Sequence, residues 1–312
     1  MRFTNLGTSE TKISQIGLGT WQFGSKGWGY GKDFGKQDAI DIVHRALELG
    51  VNLIDTAEVY GGGKSEIILG QALEGYNRED FVIVSKFLPT AIRPSAVNRA
   101  LAKSLKRLKT DYLDVYLIHW PNPLLPLGAT LQHMEKMVDE GLIRHIGISN
   151  FGLKRFQKAQ SKMQKHPIDV SQLNYSMAKS KVKDLFLPYA EENNVTIMAY
   201  SPLGQGFLTG KYNAKNAPKG TRRMNRLYTK SNFKRAAPML EELNTVAQLH
   251  DVSMAQVALS WLIKDKSVVA IPGAKNITQL ETNIQASELN LTSSEIDQLN
   301  SQASNFKPKM FF

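Results

Sequence analysis

Short apolar runs rich in β-branched residues alternate with longer segments of helical period along nearly the whole chain, which is the pattern of repeated strand–helix units around a parallel sheet. Eight runs read as strands, at 16–20, 52–56, 81–86, 114–119, 144–149, 169–173, 196–200 and 268–271. Helical patterns lie between them at 38–49, 95–108, 130–139, 183–193 and 238–250, with Gly50 and Gly141 placed where left-handed C-caps are favoured. The runs Phe81-Val82-Ile83-Val84 and Val115-Tyr116-Leu117-Ile118 are continuous rather than alternating, as strands covered on both faces are. Eight such units favour closure into a (β/α)8 barrel of the TIM type, with an open doubly wound sheet as the alternative. Residues 2–6 and 12–15 flank Gly7-Thr8-Ser9-Glu10 and predict a hairpin that caps one barrel end. Two loops break the repeat, a glycine-rich one at 24–35 and a long connection at 201–235 after the seventh strand. A helix-like tail at 293–301 and the terminal Phe311-Phe312 are candidates to cover a pocket or contact a second subunit.

Composition narrows the class. With 312 residues, 42% hydrophobic and 21% charged, the chain can bury a large core, and residues 1–312 read as one barrel domain with extra helical loops. The absence of cysteine excludes disulfides, thiolate metal sites and a cysteine nucleophile. No apolar signal core and no bilayer-length apolar run are present, so the expectation is a cytoplasmic protein without a membrane partner. The net charge of +11 is concentrated: nine basic residues and no acidic one lie between Lys211 and Arg235. That distribution suits a phosphorylated ligand at one loop; nucleic acid is the competing reading, which salt-sensitive binding would reveal.

Several familiar motifs fail on inspection. Gly61-Gly62-Gly63-Lys64-Ser65 lacks the glycine that a phosphate loop needs at Glu58. Neither Gly17-Leu18-Gly19 nor Gly204-Gln205-Gly206 completes a dinucleotide fingerprint. The six histidines show no metal-ligand spacing, so no metal is expected.

In an α/β barrel the working residues sit at the carboxyl ends of the strands. Here those ends carry Asp55 with Tyr60 beyond, Lys86, His119, Ser149-Asn150, Gln172 and Tyr200-Ser201. With Gly17-Leu18-Gly19-Thr20-Trp21, Asp55-Thr56-Ala57-Glu58-Val59-Tyr60-Gly61, Gly147-Ile148-Ser149-Asn150-Phe151 and Tyr200-Ser201-Pro202-Leu203 in order, the chain resembles an aldo-keto reductase over roughly residues 3–300. Gly210-Lys211-Tyr212 and Ile271-Pro272-Gly273-Ala274-Lys275 are similar to the branch that holds potassium-channel β subunits and bacterial general-stress reductases. The resemblance implies NADPH-dependent reduction of aldehydes and ketones, with Tyr60 as general acid, Lys86 lowering its pKa, Asp55 fixing Lys86, and His119 orienting the carbonyl.

The resemblance also implies a cofactor site. Ser149, Asn150 and Gln172 would hold the nicotinamide amide, with Tyr200 under the ring, and Thr20, Trp21 and Asp55 nearby. Ser201, Pro202, Leu203, Gly204 and Gln205 would follow the pyrophosphate. Lys211 and Arg222 would take the phosphorylated adenosine end, with Gly273, Ala274, Lys275, Gln279 and Asn283 on its other side. A positive loop rewards a 2'-phosphate, hence NADP(H) over NAD(H). Gly273-Ala274, Gln279 and Thr282 depart from the eukaryotic pattern at this end. Trp21, Trp28, Phe87 and Trp120 are candidate walls of an apolar substrate pocket. The alternative function is an NADP(H)-binding, redox-sensing regulatory subunit with little turnover.

Overall fold

The computed structural model describes residues 1–90 and 93–309, so the candidate cover Phe311-Phe312 lies outside the described residues. An N-terminal hairpin of β1 (Phe3–Asn5) and β2 (Lys12–Ser14) precedes eight strands: β3 (Leu18–Gly19), β4 (Leu53–Asp55), β5 (Val82–Phe87), β6 (Leu113–Ile118), β7 (Ile143–Ser149), β8 (Ile168–Asn174), β9 (Thr196–Tyr200) and β10 (Val268–Ala270). The helices are α1 (Lys36–Glu48), α2 (Lys64–Ala72), α3 (Ala96–Leu108), α4 (Leu127–Asp139), α5 (Leu153–Gln160), α6 (Lys181–Leu185), α7 (Leu187–Glu192), α8 (Lys230–Leu249), α9 (Met254–Leu262), α10 (Ile277–Gln285) and α11 (Ser293–Asn305). All eight expected strands are present, their ends displaced by no more than two residues.

From β3 to β10 every strand pairs in parallel with its neighbour in sequence. The sheet closes because Ile16 bridges Ala270, with Gly17 N donating to Ala270 O at 2.8 Å and Ala270 N to Gln15 O at 2.8 Å. The barrel is therefore realised and the open sheet is not. Its packing falls into two clusters set by the two-residue period of a strand. Leu53, Val82, Val84, Val115, Leu117, Val170, Met198 and Val269 fill the lumen, and Leu6 and Ile13 of the hairpin plug its lower end. Residues of the opposite parity, such as Ile54, Ile83, Tyr116, Ile118 and Ile197, pack outward beneath the helices. Gly147 is demanded by this crowding, since a Cβ there would meet Leu117 Cδ2 at 2.1 Å.

Two helical expectations change. The segment predicted as one helix at 183–193 is split into α6 and α7, which meet at Phe186. The helix predicted to begin at Pro238 begins at Lys230, capped by Thr229, whose side chain accepts from Asn232 N, and Pro238 lies inside it. The buried stripe of Asn232, Phe233, Ala236 and Met239 explains the longer helix. The basic run is thereby divided: Lys230, Lys234 and Arg235 are exposed on α8, while 220–228 forms two short 3-10 turns. Among the described residues no helix is long and apolar enough to cross a membrane.

Candidate active site

The strand period that fills the lumen also selects the chemistry at its mouth. Leu53 points inward and so does Asp55, two residues on; Val82 and Val84 lead to Lys86, Val115 and Leu117 to His119, Gly147 to Ser149, Val170 to Gln172, and Met198 to Tyr200. Six polar groups thus form one layer above an apolar plug. Tyr60 joins them from a 3-10 turn, Tyr60–Gly63, just after β4. That turn runs close under the first loop: Gly61 sits at φ 58°, and a Cβ there would meet the Gly24 backbone at 2.8 Å. The glycine run that mimics a phosphate loop is used for this close approach.

Lys86 is fully buried and has three N–H donors, all of them engaged. They go to Asp55 Oδ2 at 2.8 Å, to the Thr56 carbonyl at 2.7 Å and to Tyr60 Oη at 3.0 Å. Because the tyrosine oxygen accepts from the ammonium, its own hydroxyl proton is left to point elsewhere. Asp55 is equally occupied, since Gln172 Nε2 donates to its second oxygen at 2.7 Å. Burial pushes the Asp55 carboxyl up and the Lys86 ammonium down, each opposed by the charge of the other.

For Tyr60 the outcome differs from the expected lowering. Burial, followed by the negative charge of Asp55, raises its pKa well above the usual phenol value. The phenol therefore keeps its proton at neutral pH, held more firmly than an exposed tyrosine would hold it. His119 is pushed down to about 3 by burial and by the nearby Lys86 charge, so its ring is neutral across the physiological range. Its Nδ1 is buried with no hydrogen-bond partner among the described residues. Its ring meets Tyr60 edge-on at 5.7 Å and stacks on Trp120 at 6.2 Å.

The groups expected to face a carboxamide lie side by side, Ser149 opposite Gln172 in the register of β7 and β8. Asn150 Nδ2 donates to Ser149 Oγ and to the His119 carbonyl, and its Oδ1 accepts from Tyr200 Oη at 2.7 Å. The bond from Gln172 to Asp55 fixes the orientation of that amide and leaves its oxygen as an acceptor, while Ser149 keeps a hydroxyl donor. One acceptor beside one donor matches a primary carboxamide, so these residues fit a nicotinamide. Backbone conformation separates the same region: among the described residues, of the six non-glycine residues with positive φ, Lys109, Asn194 and Asp251 follow helices, whereas Asn150 (68°), Ser201 (50°) and Gln205 (62°) follow β7 and β9. Strain away from helix ends is characteristic of ligand-gripping loops.

Further out, Ser201, Gly204 and Gln205 line a polar cavity of about 320 Å³. Pro202 and Leu203 sit in the turn between them, Pro202 buried and Leu203 half-buried. Lys275 pairs with Asp33 at 3.1 Å just before α10, whose first turn is capped by Asn276 accepting from Gln279 N. Arg222 places its guanidinium over Trp28 at 5.3 Å and contributes to lowering the Asp33 pKa. Arg222 and Lys275 therefore converge, but on an acidic residue that the sequence reading did not include. Lys211 is exposed beside Tyr212, Gly273 is exposed, Asn283 is buried on α10, and the carbonyl of buried Ala274 accepts from Gln22 at 2.7 Å.

Trp21 and Trp120, each about half exposed at 49% and 47%, flank Tyr60 and His119, with Trp21 edge-on to Tyr60 at 4.9 Å and Trp28 next to Trp21 at 6.1 Å. Two assignments need correction. Phe87 has the outward parity of β5, is 4% exposed and packs on Tyr116 at 5.6 Å under the helices, so it does not wall the mouth. Thr20 is fully buried, and its hydroxyl is taken by the Asp55 carbonyl at 2.8 Å and by Ser65 at 2.7 Å, which makes it a support for β4 rather than a side chain that reaches a ligand. The sequence reading also missed Asn174, Ser176 and Lys179, which line the cavity from the β8 side. The inward parity of Gln172 would have indicated Asn174; nothing in the pattern marks the other two.

Comparisons with known proteins agree with this geometry. A model described as the aldo/keto reductase family matches residues 15–303. An uncharacterized oxidoreductase of Mycobacterium tuberculosis is 43% identical over 297 residues, covering 95% of this chain and 91% of the relative. The NADH-specific methylglyoxal reductase of Escherichia coli is 30% identical, covering 95% and 96%. An aldo/keto reductase from Klebsiella pneumoniae, solved in complex with NADP and acetate, superposes with a TM-score of 0.78 at 29% identity, covering 100% of this chain and 98% of that one.

Proposed function

The chain belongs to the aldo/keto reductase family, and from that membership we propose that it reduces aldehydes and ketones to alcohols with NADPH, Tyr60 serving as the acid. The observation that carries this reading is the donor count at Lys86. With its three N–H groups directed to Asp55, Thr56 and Tyr60, the phenol oxygen accepts, and its proton is the one available to a carbonyl placed between Tyr60 and His119. Neutral His119 orients that carbonyl through a ring nitrogen, and Trp21 and Trp120 exclude water around it. When bound, the reduced nicotinamide supplies the hydride. Asp55 links the two halves of the site, since one carboxylate holds both Lys86 and Gln172. The experiment that tests the reading is NADPH consumption by the purified protein across aromatic aldehydes, aliphatic aldehydes, dicarbonyls, sugars and ketones. Turnover supports it, and tight NADPH binding without turnover on any of them would favour the redox-sensing alternative.

The pKa directions set the pH behaviour. Since His119 is neutral above about pH 4 and Tyr60 keeps its proton beyond pH 10, kcat/KM for reduction is expected to be flat from roughly pH 5 to 9. An acid limb centred near pH 6.5 would mean that His119 titrates and would remove its assigned role.

NADPH preference is proposed from Lys211 and Arg222, and the Klebsiella neighbour was solved with NADP, whereas the Escherichia coli relative is named NADH-specific. The double substitution Lys211→Ala with Arg222→Ala is expected to weaken NADPH binding by at least about tenfold while leaving NADH nearly unchanged, since each charge-assisted contact contributes on the order of 1 kcal/mol. Equal losses in fluorescence titrations of the two cofactors would refute the assignment of these residues to a 2'-phosphate.

A further inference from the structure

A second buried carboxylate lies on the helix side of β5. Glu66, in the first turn of α2, is fully buried and both of its oxygens are engaged. Its Oε1 accepts from the Ser85 hydroxyl at 2.6 Å, and its Oε2 from Arg107 Nε of α3 at 2.6 Å. Ser85 is itself fully buried and immediately precedes Lys86 on β5, so it faces the helices as Lys86 faces the lumen. Arg107 reaches the other member of the acid pair. Its side chain lies against Gly63, where a Cβ would stand 3.0 Å from Arg107 Cδ, and Gly63 ends the turn that begins with Tyr60. One carboxylate is thus tied to the strand that carries Lys86 and, through the guanidinium, to the turn that carries Tyr60, the two residues joined by the 3.0 Å bond at the mouth. Stability alone does not call for an ion pair here, since well-packed apolar side chains of similar volume often serve as well.

We propose that Glu66 is a positioning residue for carbonyl reduction, fixing Lys86 against Tyr60 from behind the barrel wall through Ser85 on one side and Arg107 on the other. The reaction it serves is that of the reductase reading; the positioning itself does not depend on it. Charge acts in the same direction. Lys86 is faced by Asp55 from β4, Tyr60 from the following turn, His119 from β6 and, across its own strand, Glu66 from α2. Burial pulls the Lys86 pKa down, and the charges of Asp55 and Glu66 both oppose it. Glu66 is in turn faced by Arg107 from α3, by Glu58, whose carboxyl it helps to push up, and by Tyr116 of β6. Removing the Glu66 charge therefore lets Lys86 lose its proton at a lower pH, and with it the positive charge that stabilises the phenolate left when Tyr60 gives up its proton.

The test compares the full chain with Glu66→Gln, Ser85→Ala and the double variant Glu66→Gln/Arg107→Met, which strands no guanidinium and serves if Glu66→Gln alone does not fold. The first readout needs no turnover: the Cζ resonance of Tyr60 in 13C-tyrosine-labelled protein without cofactor, identified by its loss in Tyr60→Phe. That carbon senses the bond its oxygen accepts, so Glu66→Gln is expected to displace it. On the best aldehyde of the panel, Glu66→Gln should lower kcat about 10- to 100-fold, the scale on which misplacement away from the chemistry acts. It should leave KM for NADPH within about twofold, because the cluster contacts β5 and the Tyr60 turn rather than the strands that carry Ser149 and Gln172. It should also introduce an alkaline limb below about pH 9 that wild type lacks. Ser85→Ala loosens β5 but keeps the charge, so it should lower kcat without that limb. If the Glu66 variants lose thermal stability while the Tyr60 resonance, kcat and the pH profile stay as in wild type, the cluster is only a fold contact and the proposal falls. If the resonance moves but wild type reduces no carbonyl, the positioning stands and the reductase reading falls.

Discussion

Tyr60→Phe is expected to lower kcat/KM for carbonyl reduction by about 10²- to 10⁴-fold, the range that a positioned general acid contributes. NADPH affinity should be nearly unchanged, because the phenol contacts Lys86 and the aromatic rings rather than Ser149, Asn150 or Gln172. The fold should also survive, since removing the hydroxyl deprives Lys86 of one acceptor of three and leaves its bonds to Asp55 and Thr56. Steady-state kinetics on the best aldehyde from the panel, with cofactor titration in parallel, separate these effects. A rate within a few-fold of wild type would show that another group delivers the proton.

Lys86→Met is expected to be the costliest single change for stability. It strands a carboxylate that is 2% exposed with only Gln172 for company, and breaking a buried pair in this way typically costs about 3–5 kcal/mol. The pH dependence is diagnostic. Without the ammonium, burial holds the folded Asp55 pKa above its unfolded value, so the folded variant binds more protons than the unfolded chain does. Its stability deficit should therefore shrink as pH falls and grow as pH rises through the folded pKa. Adding Asp55→Asn removes the stranded charge and should restore part of the loss. Urea unfolding of the single and double variants at about pH 5 and 8 measures both effects, and a Lys86→Met protein as stable as wild type at pH 8 would mean that Asp55 finds another partner.

Much of this site was legible in the sequence because a strand has a period of two. Once the apolar runs are placed, the same parity that buries Val82 and Val84 delivers Lys86, and the parity of Val115 and Leu117 delivers His119. Applying that rule to its end would also have excluded Phe87, which follows Lys86 by one residue and so must face the helices. Tyr60 lies in a turn, where no period operates, and only the resemblance indicated it. Thr20 was misjudged because a hydroxyl in sequence does not reveal whether it will bond to ligand or to backbone. The start of α8 was hidden by charge: Lys230, Lys234 and Arg235 dominate its first turns, while the buried face rests on Asn232, Phe233 and Ala236. Lys179 carried no signal, because its position follows from a turn whose shape only the fold discloses.

The bridge between Ile16 and Ala270 has a consequence for how the protein comes to be active. Strands β3 to β10 can each add to a growing sheet through contacts near in sequence, and the helices that cover them form locally. Closing the ring joins segments far apart in the chain, a step that pays loop entropy before any contact rewards it. The bond from Gln172 to Asp55 crosses the lumen from β8 to β4, strands that are not neighbours in the sheet, so it requires the curvature that closure imposes. Strand pairing between sequence neighbours alone therefore does not bring Gln172 to Asp55; the closed ring does. The Gln172–Asp55 contact is in this sense a property of the closed ring rather than of any one strand–helix unit.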